Sequence, residues 1–129
     1  MIVVDSNVLA YLYLPCEYTK DAEKWLEKEP LWIAPKLWRS EFRNILAGYL
    51  RRQLLTLNEA CALQHEAEHL LADTEFEVDS LSVLNLVNTS DCSAYDCEFI
   101  ALALQFETKL VTMDKKLLRA FPKVAVALT

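Results

Sequence analysis

Two aspartates follow short apolar segments of the sequence. Residues 1–4 form a β-branched apolar run that stops at Asp5, and residues 109–113 repeat the pattern and stop at Asp114. Runs of this kind predict buried strands. Ligands of open α/β sheets bind outside the carboxyl ends of the strands. Asp5 and Asp114 therefore lie where a binding site is expected, and carboxylates at such a place suit a hard divalent cation.

A third acid lies on a mainly apolar row of a helix predicted over residues 36–53. Glu41 has apolar residues four positions before and after it, so it stands at the edge of the packed face. A glutamate at such an edge can instead extend to water, or pair with Arg39 or Arg43. The sequence alone leaves both interpretations open.

The fourth acid belongs to the most hydrophobic predicted helix, residues 93–106. Asp96 lies nearly opposite the polar stripe of this helix. Ser93 is placed to cap the helix, and Asp96 would then complete a capping box in its first turn. On the packed side, however, an unpaired carboxylate costs several kcal/mol, which a cation bound between several acids would offset.

Composition and charge limit the classes of function. The net charge of −6 at pH 7 argues against general binding of polyanions. A single glycine, Gly48, excludes a glycine-rich loop that cradles phosphates. Basic residues nevertheless gather around two of the acids, an arrangement that suits phosphate contacts beside a metal ligand. The candidates for these contacts are Arg39, Arg43, Lys115 and Lys116.

The cysteines and histidines give weaker signals. None of the four cysteines forms a C-x-x-C pair, which predicts free, buried thiols in a reducing compartment. Cys61, His65 and His69 fall at four-residue steps on one predicted helix, a spacing that would suit zinc. The apolar residues of this helix define another face, so we interpret both histidines as surface residues.

The order of the elements predicts an α/β fold. Apolar strands alternate with amphipathic helices, which favours a parallel sheet with helices on both faces. Right-handed connections then bring the ends of the first and fourth strands to the same edge. Ser6 and Asn7 are predicted to cap the helix after the first strand, and Thr56 with Glu59 to form a capping box. Without a linker or repeat, residues 1–129 are predicted to be one domain.

Membrane and export signals are not recognised in the sequence. No apolar run reaches the ~18 residues that a membrane-spanning helix needs. No basic segment precedes the first apolar run, which is also short for a signal sequence. We therefore expect a cytoplasmic protein.

Four segments of the sequence resemble a known family. They are Val-Val-Asp-Ser-Asn-Val at 3–8, Ser-Glu-Phe at 40–42, Ser-Ala-Tyr-Asp-Cys-Glu-Phe-Ile-Ala-Leu-Ala at 93–103 and Leu-Val-Thr-Met-Asp-Lys-Lys-Leu at 110–117. These segments look like those of PIN-domain ribonucleases, in particular the small stand-alone VapC-like toxins. The resemblance implies a three-layer α/β/α sandwich around a central, mainly parallel sheet of four or five strands.

The resemblance also implies an activity, a cofactor and partners. The family's acidic quartet is matched by Asp5, Glu41, Asp96 and Asp114, and the polar positions beside it by Ser6, Asn7, Ser93 and Thr112. This implies cleavage of single-stranded or structured RNA with Mg²⁺ or Mn²⁺. Toxins of this family commonly form homodimers and are blocked by an antitoxin that inserts a segment into the active groove. Two features depart from the family pattern: Cys97 replaces a small residue, and residues 53–108 contain no Lys or Arg.

The hypothesis is therefore a metal-dependent ribonuclease, with three alternatives. One or two cations held by the acids would activate a water, and cleavage would leave a 5′-phosphate and a 3′-hydroxyl. An RNA-processing nuclease outside a toxin system would use the same chemistry. A catalytically inactive module would only bind RNA or a protein. A haloacid-dehalogenase-like phosphatase also begins with an acid after its first strand, but its Asp-x-Asp pattern is broken here by Asn7.

Overall fold

The computed structural model describes all 129 residues and centres on one five-stranded sheet. The strands are β1 (Ile2–Val4), β2 (Trp32–Pro35), β3 (Glu75–Phe76), β4 (Leu110–Thr112) and β5 (Ala125–Ala127). Their spatial order is β3-β2-β1-β4-β5, and every pairing is parallel. The predicted parallel sheet is confirmed, and β1 pairs directly with β4, so the ends of these two strands lie at the same edge, as expected.

Seven helices connect and cover the strands, which makes the fold the predicted α/β/α sandwich. They are α1 (Ser6–Tyr13), α2 (Thr19–Lys28), α3 (Trp38–Arg51), α4 (Leu57–Leu70), α5 (Ser80–Asn88), α6 (Ala94–Gln105) and α7 (Lys115–Ala120). Helix α6 packs on β1, β2 and β4 and against α5, whereas α1 packs on α2 and α3. None of the helices combines the length and the apolar character that crossing a bilayer requires.

One hydrophobic core holds the elements that carry the four acids. All residues of β1 and β4 are buried, because these two strands lie inside the sheet with helices on both faces. In α6, the fully buried side chains include Phe99, Ile100 and Leu102. Each such side chain contributes about 1.5–3 kcal/mol by leaving water. The ends of β1, β4 and α6 are therefore fixed by packing.

The helix starts confirm two predicted caps and correct a third. Thr56 and Glu59 form the predicted capping box of α4, and the Ser93 hydroxyl accepts the first-turn N–H of α6. The prediction that Ser6 and Asn7 cap α1 is wrong. Asp5 occupies the cap position in an extended conformation as β1 ends, so α1 already begins at Ser6. The Ser6 side chain is thereby free to turn into the interior.

The cysteines are all free thiols, as predicted, but only half of them are buried. Cys92 and Cys97 are buried, whereas Cys16 and Cys61 are exposed, which corrects the expectation of four buried thiols. Cys61 is exposed because it lies on the outer side of α4, the same side as His65 and His69. The two histidines are surface residues, as their position on the helix predicted.

Candidate active site

An open cavity of about 390 Å³ lies at the carboxyl ends of β1 and β4. Its walls include all four predicted acids, and we call it the acid cavity. Asp5 comes directly after β1, Asp114 precedes α7, Glu41 lies in the first turn of α3 and Asp96 in the first turn of α6. Residues that are 109 positions apart in the sequence thus meet in one place because β1 and β4 are parallel neighbours.

Asp5 is held by a buried threonine on the neighbouring strand. The Thr112 hydroxyl donates to Asp5 Oδ2 at 2.6 Å and accepts the Asp114 backbone N–H at 3.0 Å. Burial raises the pKa of Asp5, and the charges of Asp96 and Asp114 add to the rise, while the bonds from Thr112 and the Ser6 backbone oppose it. Thr112, the last residue of β4, thus fixes the orientation of Asp5.

Glu41 is held by the serine that turned inward at the start of α1. The buried Ser6 hydroxyl donates to Glu41 Oε1 at 2.7 Å, which ties α1 to α3. Partial burial raises the pKa of Glu41, and the hydrogen bond from Ser6 lowers it; the charges of Asp5, Asp96 and Glu98 raise it further. Glu41 therefore neither extends freely to water nor pairs with an arginine.

Asp96 and Asp114 complete the acid cavity from the two helix starts. Asp114 caps α7, with Oδ1 accepting the backbone N–H groups of Lys116 at 2.8 Å and Leu117 at 3.2 Å. Burial raises the pKa of Asp96, the negative charge of Asp114 raises it further, and Ser93 and Lys116 lower it. The Asp96 side chain lines the cavity, so only the Ser93 half of a capping box is formed.

The donor chemistry of the acid cavity fits a hydrated hard cation. None of its four carboxylates takes part in an ion pair. No three acidic, histidine or cysteine side chains converge closely enough to coordinate one ion directly. Mg²⁺ characteristically keeps several waters and binds through one or two carboxylates, and it would reach the others through those waters. The residues therefore fit Mg²⁺ or Mn²⁺ better than an ion that needs a closed cage.

The sequence and the fold agree with one family of known proteins. Residues 2–124 match the PIN domain. The chain belongs to the PIN-domain family. Ribonuclease VapC3 of Pyrobaculum aerophilum is 29% identical in an alignment 129 residues long. The alignment covers 94% of this chain and 95% of the relative. The resemblance stated from the sequence is thereby confirmed.

Solved structures show the same fold at lower sequence identity. FitAcB from Neisseria gonorrhoeae is similar with a TM-score of 0.77 and 18% identity, over 99% of this chain and 98% of its own. A toxin–antitoxin complex from Klebsiella pneumoniae is similar with a TM-score of 0.70 and 14% identity, over 100% and 98% of the two chains. These likenesses establish the architecture of the PIN domain described here.

The basic residues predicted beside the acids divide into two groups in this PIN domain. Arg39 binds Glu75 and Glu68 instead, and Arg43 lines a separate groove between α3 and α4. The reason is helical geometry: both arginines are two residues from Glu41, which is about 200° around the helix. Lys116 remains close enough for its charge to lower the pKa of Asp96. Lys115 is exposed at the start of α7.

Besides the aliphatic side chains of its wall, three residues of the PIN-domain cavity were not singled out as site residues from the sequence. Ser40, Asn44 and Tyr95 line it together with the predicted Ser6 and Asn7. Asn44 follows Glu41 by three positions, a spacing that places both on one helix face. This spacing was an available signal for Asn44. Nothing in the apolar pattern marked Tyr95, although it directly precedes Asp96 in one of the segments that resemble the PIN-domain family.

Proposed function

We propose that this PIN domain is a divalent-metal-dependent endoribonuclease and the toxin of a toxin–antitoxin pair. The observation that carries the proposal is the meeting of Asp5, Glu41, Asp96 and Asp114 in one open cavity without a basic partner. The match to a protein named as a ribonuclease and the likeness to a toxin–antitoxin complex support it. RNA is the proposed substrate, and a cognate antitoxin and a second copy of the chain are the proposed partners, in the cytoplasm.

The residues of the acid cavity divide the work of holding a cation and a phosphodiester. Bound Mg²⁺ or Mn²⁺ would supply activation of a water and stabilisation of charge on the departing oxygen. The four carboxylates would hold the ion, one or two of them directly and the others through its waters, while Thr112 and Ser6 fix the orientation of Asp5 and Glu41. Lys116, whose charge lowers the pKa of Asp96, is the proposed partner of a phosphate next to that acid. The proposed products carry a 5′-phosphate and a 3′-hydroxyl.

The direct test is RNA cleavage by the wild-type protein and by an isosteric variant. We expect Asp96→Asn to lower the cleavage rate in Mg²⁺ or Mn²⁺ by about three orders of magnitude, because the metal supplies several kcal/mol of transition-state stabilisation. Asp73→Asn is the matched control, since Asp73 is exposed in the loop between α4 and β3. Equal cleavage by wild type and Asp96→Asn would mean that the acids are misassigned.

Metal binding can be measured without any substrate. A ligand that binds only the folded state raises the free energy of unfolding by about 2.7 kcal/mol at one hundred times its Kd. Mn²⁺ should therefore raise the melting temperature of the wild-type protein and of Asp73→Asn, but not that of Asp96→Asn. If neither Mn²⁺ nor Mg²⁺ changes the melting temperature of the wild-type protein, the result would instead support the alternative of an inactive binding module.

The toxin role is separable from the nuclease chemistry. Expression of the chain alone should arrest growth, and co-expression of a small protein encoded beside it should restore growth. An RNA-processing nuclease would cleave RNA equally well in the cleavage assay but would not arrest growth. Growth arrest by Asp96→Asn at the same expression level would show that the arrest does not come from cleavage.

A further inference from the structure

Tyr95 is the one exposed aromatic side chain of the protein. Its relative exposure is 64%, whereas the other aromatic side chains are buried or partly buried. The residue lines the acid cavity and directly precedes Asp96 in the first turn of α6. An aromatic ring therefore stands at the mouth of the site, where its surface meets water.

The ring of Tyr95 has no aromatic or cationic partner within the chain. The aromatic pairs of the structure join other residues, and the two cation–π contacts involve Trp25 and Tyr49. A large exposed ring without a partner adds little to the stability of the fold, because most of its apolar area stays in water. Its position beside the acids points to a ligand that would cover it.

The lining of the acid cavity narrows the chemistry of that ligand. No Lys or Arg is among the lining residues, so the walls of the cavity offer little direct attraction for phosphates. They offer instead one free aromatic ring and two side-chain amides, Asn7 and Asn44. A nucleobase has a flat face that stacks on aromatic rings and an edge that bonds to amides. It fits this lining better than a second phosphate does.

We propose that Tyr95 is the stacking platform for an RNA base next to the cleaved phosphate. The proposal rests on the ribonuclease function proposed above and assigns a base-binding subsite within it. The base beside the cleaved phosphate must be free to stack on the Tyr95 ring.

The first test compares two variants at position 95 on a single-stranded RNA that the wild-type protein cleaves. We expect Tyr95→Ala to lower kcat/KM about tenfold, mainly through KM, since stacking of one base contributes about this factor. Tyr95→Phe keeps the ring and should cleave like wild type. Leu104→Ala is the matched control, because Leu104 is 50% exposed at the other end of the same helix.

A structural role of Tyr95 would give a different pattern. The melting temperature of Tyr95→Ala and its rise with Mn²⁺ should equal those of the wild-type protein, because the ring contributes neither to the core nor to the carboxylates. Equal kcat/KM for Tyr95→Ala and wild type would refute the proposal. A loss in Tyr95→Phe as large as that in Tyr95→Ala would refute it too, since the hydroxyl and not the ring would then matter.

The second test removes the base from the RNA. Abasic nucleotides placed one at a time around the cleavage site should identify one position where the wild-type protein loses about tenfold in kcat/KM. Tyr95→Ala should show no further loss there, because the ring that stacked on the base is gone. Additive losses would refute the stacking. If the wild-type protein neither binds nor cleaves RNA, the ribonuclease function fails, and the proposal fails with it.

Discussion

Two groups of carboxylates flank α3, and the fold treats them in opposite ways. On one side, Arg39 binds both oxygens of Glu75, at 2.6 and 2.7 Å, and Glu68 at 2.9 Å; we call this set the arginine network. On the other side, the acid cavity holds four carboxylates that form no ion pair. The same helix thus separates acids that are neutralised within the chain from acids that are not.

The pKa directions show what this difference means. Hydrogen bonds from Arg39 hold the pKa of Glu75 below its usual range, with a further bond from Trp38 Nε1. Burial holds the pKa of Asp5 and Glu41 above theirs. A carboxylate with a lowered pKa stabilises the fold at neutral pH, whereas one with a raised pKa opposes it. The arginine network therefore contributes to folding, and the acid cavity costs folding energy that only a cation from outside the chain offsets.

The largest effect on stability is expected from breaking the arginine network. Arg39→Ala leaves Glu75 without its cation, although Glu75 is only 9% exposed. We expect a loss of about 2 kcal/mol in the free energy of unfolding, less than for a fully buried pair because Arg39 is 37% exposed. Denaturant unfolding at neutral pH measures it. The difference should shrink in acid, since the contribution of Glu75 is lost as pH falls through its lowered pKa.

Arg43→Ala is the matched control for this prediction. Arg43 lies one turn further along α3, is exposed and forms no ion pair. Removal of an exposed side chain of this kind changes the free energy of unfolding by no more than about 0.5 kcal/mol. Equal losses in Arg39→Ala and Arg43→Ala would show that the network adds nothing beyond the packing of an arginine stem.

The arginine network also shows where sequence reasoning stopped. The strands, most helix bounds and the caps at Thr56 and Ser93 follow from local patterns, because hydrophobic period and capping residues act within one element. The partner of Arg39 does not, since Glu75 lies 36 residues away on an edge strand. Two positions along a helix correspond to about 200°, so Arg39 and Glu41 lie on different sides of α3. Their closeness in sequence nevertheless suggested that Arg39 lies beside the acids.

The four acids could be selected from the sequence because each has a recognisable local position, and the parallel connection of the strands predicts where two of them lie. Strand ends and apolar helix rows marked Asp5, Asp114, Glu41 and Asp96, and parallel connectivity predicted that the first two would meet. The local pattern predicted Ser6 as a cap, which was wrong, and only the family resemblance had put Ser6 beside the acids. Which side chain caps a helix depends on the conformation of the residue where the strand ends, and here that residue is Asp5.

A smaller effect on the free energy of unfolding, of opposite sign, is expected when one negative charge is removed from the acid cavity. Asp5→Asn removes a charge that burial and neighbouring acids disfavour, so we expect the metal-free protein to gain about 1 kcal/mol. Folding raises the pKa of Asp5. Between the ordinary pKa and the raised one, the native state therefore binds more protons than the unfolded chain, and the stability of the wild-type protein falls as pH rises through this range. The gain should therefore grow as pH rises through the raised pKa of Asp5 and vanish in acid. Thermal unfolding at several pH values, with a chelator present, measures it.

Mn²⁺ should reverse the order of the two proteins. With the ion bound, the wild-type protein gains stability that Asp5→Asn cannot gain, because one of its carboxylates is missing. Asp73→Asn again serves as the control and should follow the wild-type protein under both conditions. An Asp5→Asn variant that is less stable than wild type without metal would show that the acid cavity is not under electrostatic strain.

The smallest effect is expected from the hydroxyl that links the two sides of the site. Ser6→Ala removes the donor to Glu41 Oε1 and should change the free energy of unfolding by about 0.5–1 kcal/mol, because water can reach the half-buried carboxylate. Without that bond the pKa of Glu41 rises further, so protons compete more strongly with the cation. The Mn²⁺ affinity of Ser6→Ala, measured by calorimetry, should therefore fall more in mild acid than at neutral pH. Ser40 lines the same cavity, but Glu41 is bonded by Ser6 and not by Ser40. Ser40→Ala should therefore keep the wild-type pH dependence. If both variants behave alike, the acid cavity is held by its backbone alone, and Ser6 only fills space between α1 and α3.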